Sequence, residues 1–365
     1  SGPDALYQTC HAPLFDALSI NSVVCARPAE PYATMIDRLA RRAGGAIRPS
    51  DSETRTFLHE LPVVDGLHPA ALIRALARRK SAIAADGSGP PAVVATGVVS
   101  PEQAFVSFCS VCFACYVARL AEALAAARRG ALDAETRRIA LNALDALAPL
   151  PDEARPKRRA PFAGAADVTA AISEAGRTLV EHRLVDSFFG NASLLHDGVL
   201  HISQTGSSLE ELEGCIDPVP VDGGRTTGIT ASSELAAHLA IVAGGRARAV
   251  LHGHPKLAVA ISLDCEVEGC PNAGRCHVAC DRAREIDGVP IVPGEVGAGP
   301  HGLMHTVPPA VRAAGAAIVY GHGVFTAGAV DFADALDRQF RVERACRDEA
   351  RRRLTGARAS ASVIG

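Results

Sequence analysis

Tryptophan is absent from the 365-residue chain, aromatic residues make up only 4%, and there are two methionines. A core must therefore be built from Ala, Val, Leu and Ile rather than from large rings. No excess of either charge sign exists, since 37 Lys and Arg stand against 40 Asp and Glu, a net of −3. That balance gives no electrostatic footing for nucleic acid or an anionic membrane surface. The longest apolar run, around Ala104–Val117, is broken by Arg119 and reads as too short to cross a bilayer. The first ten residues lack the basic start and apolar stretch of a secretory signal. What remains is ordinary for a globular protein, with 48% apolar and 21% charged residues, which excludes wholesale disorder. Eleven cysteines, an odd number without an export signal, favour reduced thiols or metal ligands over a disulfide framework, and a cytoplasmic location.

Length alone suggests two domains or one large one, at roughly 150 residues per domain. Residues 149–164 hold four prolines and the cluster Lys157-Arg158-Arg159, with no helical or strand period. Residues 151–165 thus read as a linker between an N-terminal region, 1–150, and a second domain, 166–355, followed by a flexible tail, 356–365. The N-terminal region reads as α-rich. Helical spacing appears at Met35–Arg42, Pro69–Arg79 and Leu132–Leu147. Pro101–Arg129 is a longer pattern, opening with Ser100 as N-cap and Gln103 at N3. One strand, Ala92–Val99, precedes the long helix. The second domain alternates. A helix at Ala166–Val185 leads to strands at Ala192–Leu195 and Val199–Ser203, a helix from Ser232 and a strand at Ala249–His254. A strand at Ala316–Tyr320 and a helix from Asp331 follow, so an α/β layered core is expected. A weak echo links PAVVATGVVSPEQAF to AAIVYGHGVFTAGAVDFADAL, matching Gly97 to Gly323 and setting Thr96 where the second stretch has His322. A degenerate half-copy is one reading. Chance similarity between two strand–turn–helix units is the heavier one.

The sharpest chemistry lies in Val250-Leu251-His252-Gly253-His254-Pro255. Strand side chains alternate, so His252 and His254 present two imidazoles to one side while Gly253 leaves the other open. Two imidazoles and a third ligand, with a position left for substrate, are what a catalytic zinc requires. Upstream, Thr230-Ala231-Ser232-Ser233-Glu234 reads as a helix opening, with a serine cap and Glu234 in the first turn. Such a helix start also suits a phosphate. Downstream, His322 stands between two glycines at the end of an apolar strand. Each of these segments alone is outweighed by a bland reading, as a core histidine, an ordinary cap or a loop histidine.

Their order is more specific. Gly190-Asn191-Ala192-Ser193, Ile202-Ser203-Gln204-Thr205-Gly206, Ala231-Ser232-Ser233-Glu234, His252-Gly253-His254-Pro255 and Gly321-His322-Gly323 together resemble the class II aldolase/adducin family over residues 170–350. The resemblance implies a layered α/β domain with a central, mostly antiparallel sheet flanked by helices. It also implies that His252, His254 and His322 bind a divalent ion, most often Zn2+, and that Glu234 is the acid/base. Asn191, Thr205, Gly206, Ser232 and Ser233 would hold the substrate phosphate. The implied activity is reversible aldol cleavage of a phosphorylated keto-sugar through a metal-stabilised enediolate, in a homo-oligomer that is commonly a tetramer. Dehydratases, epimerases, decarboxylases and non-catalytic adducin-like assembly modules share the family, and fold does not choose among them.

Two cysteine groups stand outside that pattern. Cys265, Cys270, Cys276, His277 and Cys280 fall within 16 residues. They invite a second, structural zinc or an iron–sulfur cluster, at even weight with free thiols or a redox pair. Cys109, Cys112 and Cys115 recur every third residue on one helix face, where packing is favoured over a cluster. His301 and His305, near a Gly-rich loop, are expected close to the pocket.

Overall fold

A computed structural model describes residues 12–186, 188–223, 229–267, 269–280, 282–295 and 299–356. The expected tail at 356–365 lies outside these residues except for Gly356. The chain divides into two compact units, one of Ser1–Leu147 with Arg351–Gly365, the other of Ala148–Ala350.

The first unit is organised by a sheet, although only one of its strands is legible in the sequence. Its elements are β1 (Ser22–Ala26), α1 (Tyr32–Ala40), β2 (Ala46–Ile47), α2 (Ser52–Leu58), β3 (Leu61–Val64), α3 (Pro69–Leu76), β4 (Ser81–Ala84), β5 (Ala92–Gly97), α4 (Pro101–Arg128) and α5 (Ala134–Asp145). The strands lie in the order β1-β5-β4-β3-β2, antiparallel except for β3 beside β4. Strands of two to six residues are too short to develop an alternation, which is why helices dominated the sequence reading. Helix starts follow their caps. Asp51 accepts from the Thr54 N–H at 2.7 Å and Asp133 from the Thr136 N–H at 2.8 Å. Ser100 precedes Pro101 as expected, and Gln103 Oε1 reaches back to the Val98 and Val99 N–H groups at 3.0 and 2.9 Å.

Helix α4 corrects one expectation. At 28 residues it is long and apolar enough to cross a membrane by length and composition, but 72% of its most apolar window is buried inside the protein. It is the core helix of this unit. Cys112 and Cys115 pack there with Ile36, Leu39, Ile83 and Val93, as the packing reading of the cysteine run requires. Burial pushes the Cys115 thiol far above its ordinary value.

The second unit contains α6 (Ala165–Glu181), β6 (Asn191–His196), β7 (Val199–Ser203), β8 (Ile216–Pro220), α7 (Leu235–Val242), β9 (Ala249–Gly253) and α8 (Lys256–Leu263). After them come β10 (Glu285–Ile286), β11 (Val289–Val292), α9 (Leu303–Ala314), β12 (Ala316–Val319), β13 (Gly323–Gly328) and α10 (Phe332–Thr355). Eight strands run in the order β10-β11-β12-β13-β9-β6-β7-β8, antiparallel except for β11 beside β12. The sheet is covered on both faces. Leu251 packs with Ile172, Leu179, Leu336 and Phe340. Its neighbour Val250 packs with Ile241, Val307, Val311 and Phe325. That alternation within β9 places His252 on the α7 and α9 face, the side of Val250.

The proline-rich stretch expected as a linker belongs to this unit. The Lys157 and Arg158 backbone N–H groups donate to the Glu174 carboxylate at 2.6 and 3.0 Å, and Arg159 Nε donates to Asp331 at 2.7 Å. Asp331 ends up beneath this segment, 2% exposed, also accepting from the Ala333 N–H just inside α10.

Candidate metal centre and active site

Four side chains from three segments meet at the end of β9. One ligand atom each from His252, His254 and His322 lies within 4.8 Å of the others, and all three residues are buried. His252 Nε2 and His254 Nε2 are 2.8 Å apart. Glu234 Oε1 lies 3.0 Å from His322 Nε2, and its Oε2 lies 3.5 Å from His252 Nε2.

Local structure explains the convergence. Strand alternation brings His252 and His254 to one side, and β13 pairs with β9 so that Gly323 follows His322 directly into the sheet. A Cβ at Gly323 would lie 2.4 Å from the Gly253 carbonyl oxygen and 2.7 Å from His252 Cε1, so only glycine admits the histidines this close. The rings are held by packing. His252 stacks between His322, with centroids 4.9 Å apart, and Phe325, at 4.1 Å. The His252 Nδ1–H is directed at the Val324 carbonyl at 3.2 Å, which leaves the Nε2 lone pair facing the cluster.

Glu234 differs from its sequence reading in one respect. Helix α7 begins at Leu235, so Glu234 is the N-cap rather than a first-turn residue, and its side chain makes no capping bond. The preceding residues are drawn towards β7 instead: the Ser232 N–H donates to the Ser203 carbonyl at 3.1 Å and the Ser233 N–H to Thr205 Oγ1 at 2.9 Å. The carboxylate is thereby free to face the imidazoles and to accept from Asn191 Nδ2 at 2.8 Å. Burial alone would raise its pKa. The neighbouring His252, with the His322 and Asn191 hydrogen bonds, outweighs burial and holds it well below the usual carboxylate range. Burial depresses the histidines too, His252 to about 3 and His254 well below its ordinary value. Neutral imidazoles beside an ionised carboxylate are the donor set a divalent cation takes, and three nitrogens plus one oxygen fit zinc. Asn191 Oδ1, buried without a hydrogen-bond partner, leaves one further acceptor for an incoming hydroxyl.

The expected phosphate-binding residues assemble in part. Thr205 and Ser233 are joined directly, Ser232 is buried beside them, and Gly206 sits exposed at φ +72°. Asn191 belongs with Glu234 rather than with this group. His301 and His305 are exposed, and neither belongs to the histidine cluster. Among the described residues the thiols of Cys265, Cys270, Cys276 and Cys280 are not drawn together as a ligand set, and nothing supports an iron–sulfur cluster there. Cys276 instead lies against Asn272 and Tyr320. Burial, then Cys276, pushes the Tyr320 hydroxyl up to about 12.

Two contributors escaped the sequence reading. His238, one helical turn beyond Glu234 on α7, is fully buried, with Nδ1 2.7 Å from Ser193 Oγ and a pKa pulled down to about 4 by burial. Its i+4 spacing from Glu234 was the available signal. Lys256, directly after the His252–Pro255 run, is 3% exposed with its ammonium 3.6 Å from Asp186.

The family model for the class II aldolase and adducin N-terminal domain matches residues 170–349. No curated protein sequence matches the chain. Among solved structures, l-fuculose-1-phosphate aldolase from Thermus thermophilus is 24% identical, covering 52% of this chain and 97% of that one, with a TM-score of 0.42. A sugar-phosphate aldolase from Thermotoga maritima is 20% identical, covering 53% and 97%, with a TM-score of 0.40. The N-terminal class II aldolase domain of a conserved protein from Thermoplasma acidophilum is 14% identical, covering 54% and 99%, at 0.38. Residues 170–349 are a domain of the class II aldolase and adducin family.

Proposed function

We propose that this protein is a metal-dependent lyase that cleaves a phosphorylated keto-sugar by a reversible aldol reaction. The observation that carries the reading is the convergence of three buried imidazoles on one carboxylate, Glu234, that makes no capping bond. A scaffold without chemistry has no use for such a set, which argues against an adducin-like assembly role.

His252, His254 and His322 would hold the divalent ion, whose chemistry when bound is Lewis acidity towards a ketose carbonyl and its neighbouring hydroxyl. Glu234 is buried and ionised, so it can take the proton from the hydroxyl on the carbon beyond the breaking bond. The electron pair of that bond passes to the carbonyl side, and a proton is later returned to the carbon left behind. Asn191 holds one Glu234 oxygen, which orients the other towards the reacting atoms. Thr205, Ser232 and Ser233, joined through the Ser233 N–H, would anchor the phosphate and fix the substrate relative to Glu234.

The test is Glu234→Gln. Turnover on a phosphoketose panel should fall by about 10²- to 10⁴-fold, with bound zinc retained and the product pair in the wild type being an aldehyde and a ketose phosphate. Wild-type conversion of the panel without carbon–carbon cleavage would replace the aldolase reading with epimerisation, dehydration or decarboxylation at the same site.

A further inference from the structure

The five-stranded sheet of the first unit repeats, strand for strand, one side of the eight-stranded sheet. The order β1-β5-β4-β3-β2 corresponds to β9-β13-β12-β11-β10, and the pairing senses agree throughout: antiparallel, antiparallel, parallel, antiparallel. Chain order agrees as well. Each set opens with a strand and a helix, passes through two strands, a helix and two strands, and closes on a long helix, α4 or α10. The differences are the extra helix α2 and the Cys-rich insert.

One residue-by-residue alignment satisfies every register. Cys25 pairs with Val94 and Val94 with Ala82, as His252 pairs with Phe325 and Phe325 with Ala317. Val63 lies beside Ile83 as Ile291 lies beside Ile318, and Pro62 faces Ala46 as Pro290 faces Glu285. Gly97 then corresponds to Gly328, which corrects the sequence echo that matched it to Gly323. The steric reason is shared. A Cβ at Gly97 would lie 2.4 Å from the Ser100 carbonyl oxygen, and one at Gly328 would lie 2.1 Å from that of Asp331, the equivalent residue. The same offset carries Cys115 to Cys346, both fully buried.

We infer that the N-terminal unit is a second, degenerate copy of the metal-binding half of the catalytic domain, and that it has lost the metal. Cys25 stands at the position of His252, Arg27 at that of His254 and Pro91 at that of His322. A helix at 12–17 precedes β1 as α7 precedes β9, but strands matching β6–β8, which supply Asn191, and a residue matching Glu234 have no counterpart among the described residues. The two segments that His254 and His322 would join through an ion are tied here by protein alone. Arg27 Nε donates to the Pro90 carbonyl at 3.1 Å, so a guanidinium on the first segment holds the turn between β4 and β5. The unit is a catalytically silent half-site, and the described residues carry one metal centre.

The test is cobalt binding by the full-length chain with His252→Ala and His254→Ala, a background that isolates this inference from the aldolase reading. That protein should bind no Co2+ in the first unit. Adding Cys25→His, Arg27→His and Pro91→His should restore one equivalent with the visible absorption of protein-bound cobalt. Arg27→His with Pro91→His alone keeps Cys25 as a thiolate ligand and should add a sulfur-to-cobalt charge-transfer band, should the triple variant not fold. A background protein that still holds an equivalent removable by Cys25→Ser would overturn the inference, and so would folded histidine variants that take up no cobalt.

Discussion

Cys25 and His252 occupy the same place in two equivalent sheets, yet their surroundings have little in common. His252 is 1% exposed, stacked between two rings and 3.5 Å from a carboxylate. Cys25 is half-buried in an aliphatic setting of Val64, Leu67, Ala84 and Ala92. The frame is the same in backbone and differs in what lies across from it. Among the described residues only the second unit continues its sheet past β9 into β6–β8 and carries a carboxylate, Glu234, to the strand end. A β-frame therefore provides the geometry for a histidine pair, whereas the Glu234 carboxylate comes with the second half of the sheet.

The largest expected effect removes the contrast altogether. In His252→Ala/His254→Ala, bound metal and turnover should both vanish, a loss of several orders of magnitude, read as metal per chain and rate on a phosphoketose. Retained metal in that variant would mean that the first unit is no longer silent.

Phe325→Val places the first unit's Val94 under His252. Lost ring volume should cost roughly 1–3 kcal/mol of stability and loosen the His252 ring, so that zinc is stripped at a lower chelator concentration. Unfolding midpoints and chelator titration report the two effects separately.

Asp331→Asn tests the cap that corresponds to Ser100. Burial would raise the Asp331 carboxyl, but the Arg159 hydrogen bond and the Ala333 and Ala160 N–H groups outweigh it and hold it below its ordinary value. A folded value below the unfolded one gives stability that is complete above the ordinary carboxylate range and is lost as pH falls through the folded value. The substitution should cost about 1–3 kcal/mol near pH 7, with the gap to wild type closing in acid. A gap independent of pH would show that shape rather than charge is at work.

The smallest effect is the most direct comparison. Cys115→Ser and Cys346→Ser should each lower stability by about 1–2 kcal/mol, because each buries a hydroxyl where a thiol packed. Matching shifts in urea midpoint support the equivalence of α4 and α10, and a large disparity weakens it.

Much of the site was legible because local rules govern it. Period-two alternation alone put His252 and His254 on one face, and the two glycines around His322 signalled a tight approach. The helix start at Glu234 was three residues off, since Ser232 and Ser233 spend their N–H groups on β7 and Thr205, a tertiary pairing with no local signature. His238 escaped because a buried histidine on an apolar helix reads as core. The first sheet escaped because two- to six-residue strands in an Ala- and Val-rich sequence carry almost no period, and the Gly97 echo was misregistered by the five positions from Gly323 to Gly328.

By itself the sequence determined which residue types were available and which neighbours along the chain shared a face, because those depend on backbone periods of 2.0 and 3.6 residues. Only the tertiary structure decided that Glu234, His252 and His322, spread over 89 positions, would share one corner while Cys25, Arg27 and Pro91 would form no such centre. Strand register and burial set those distances, and neither is written in any short stretch of chain.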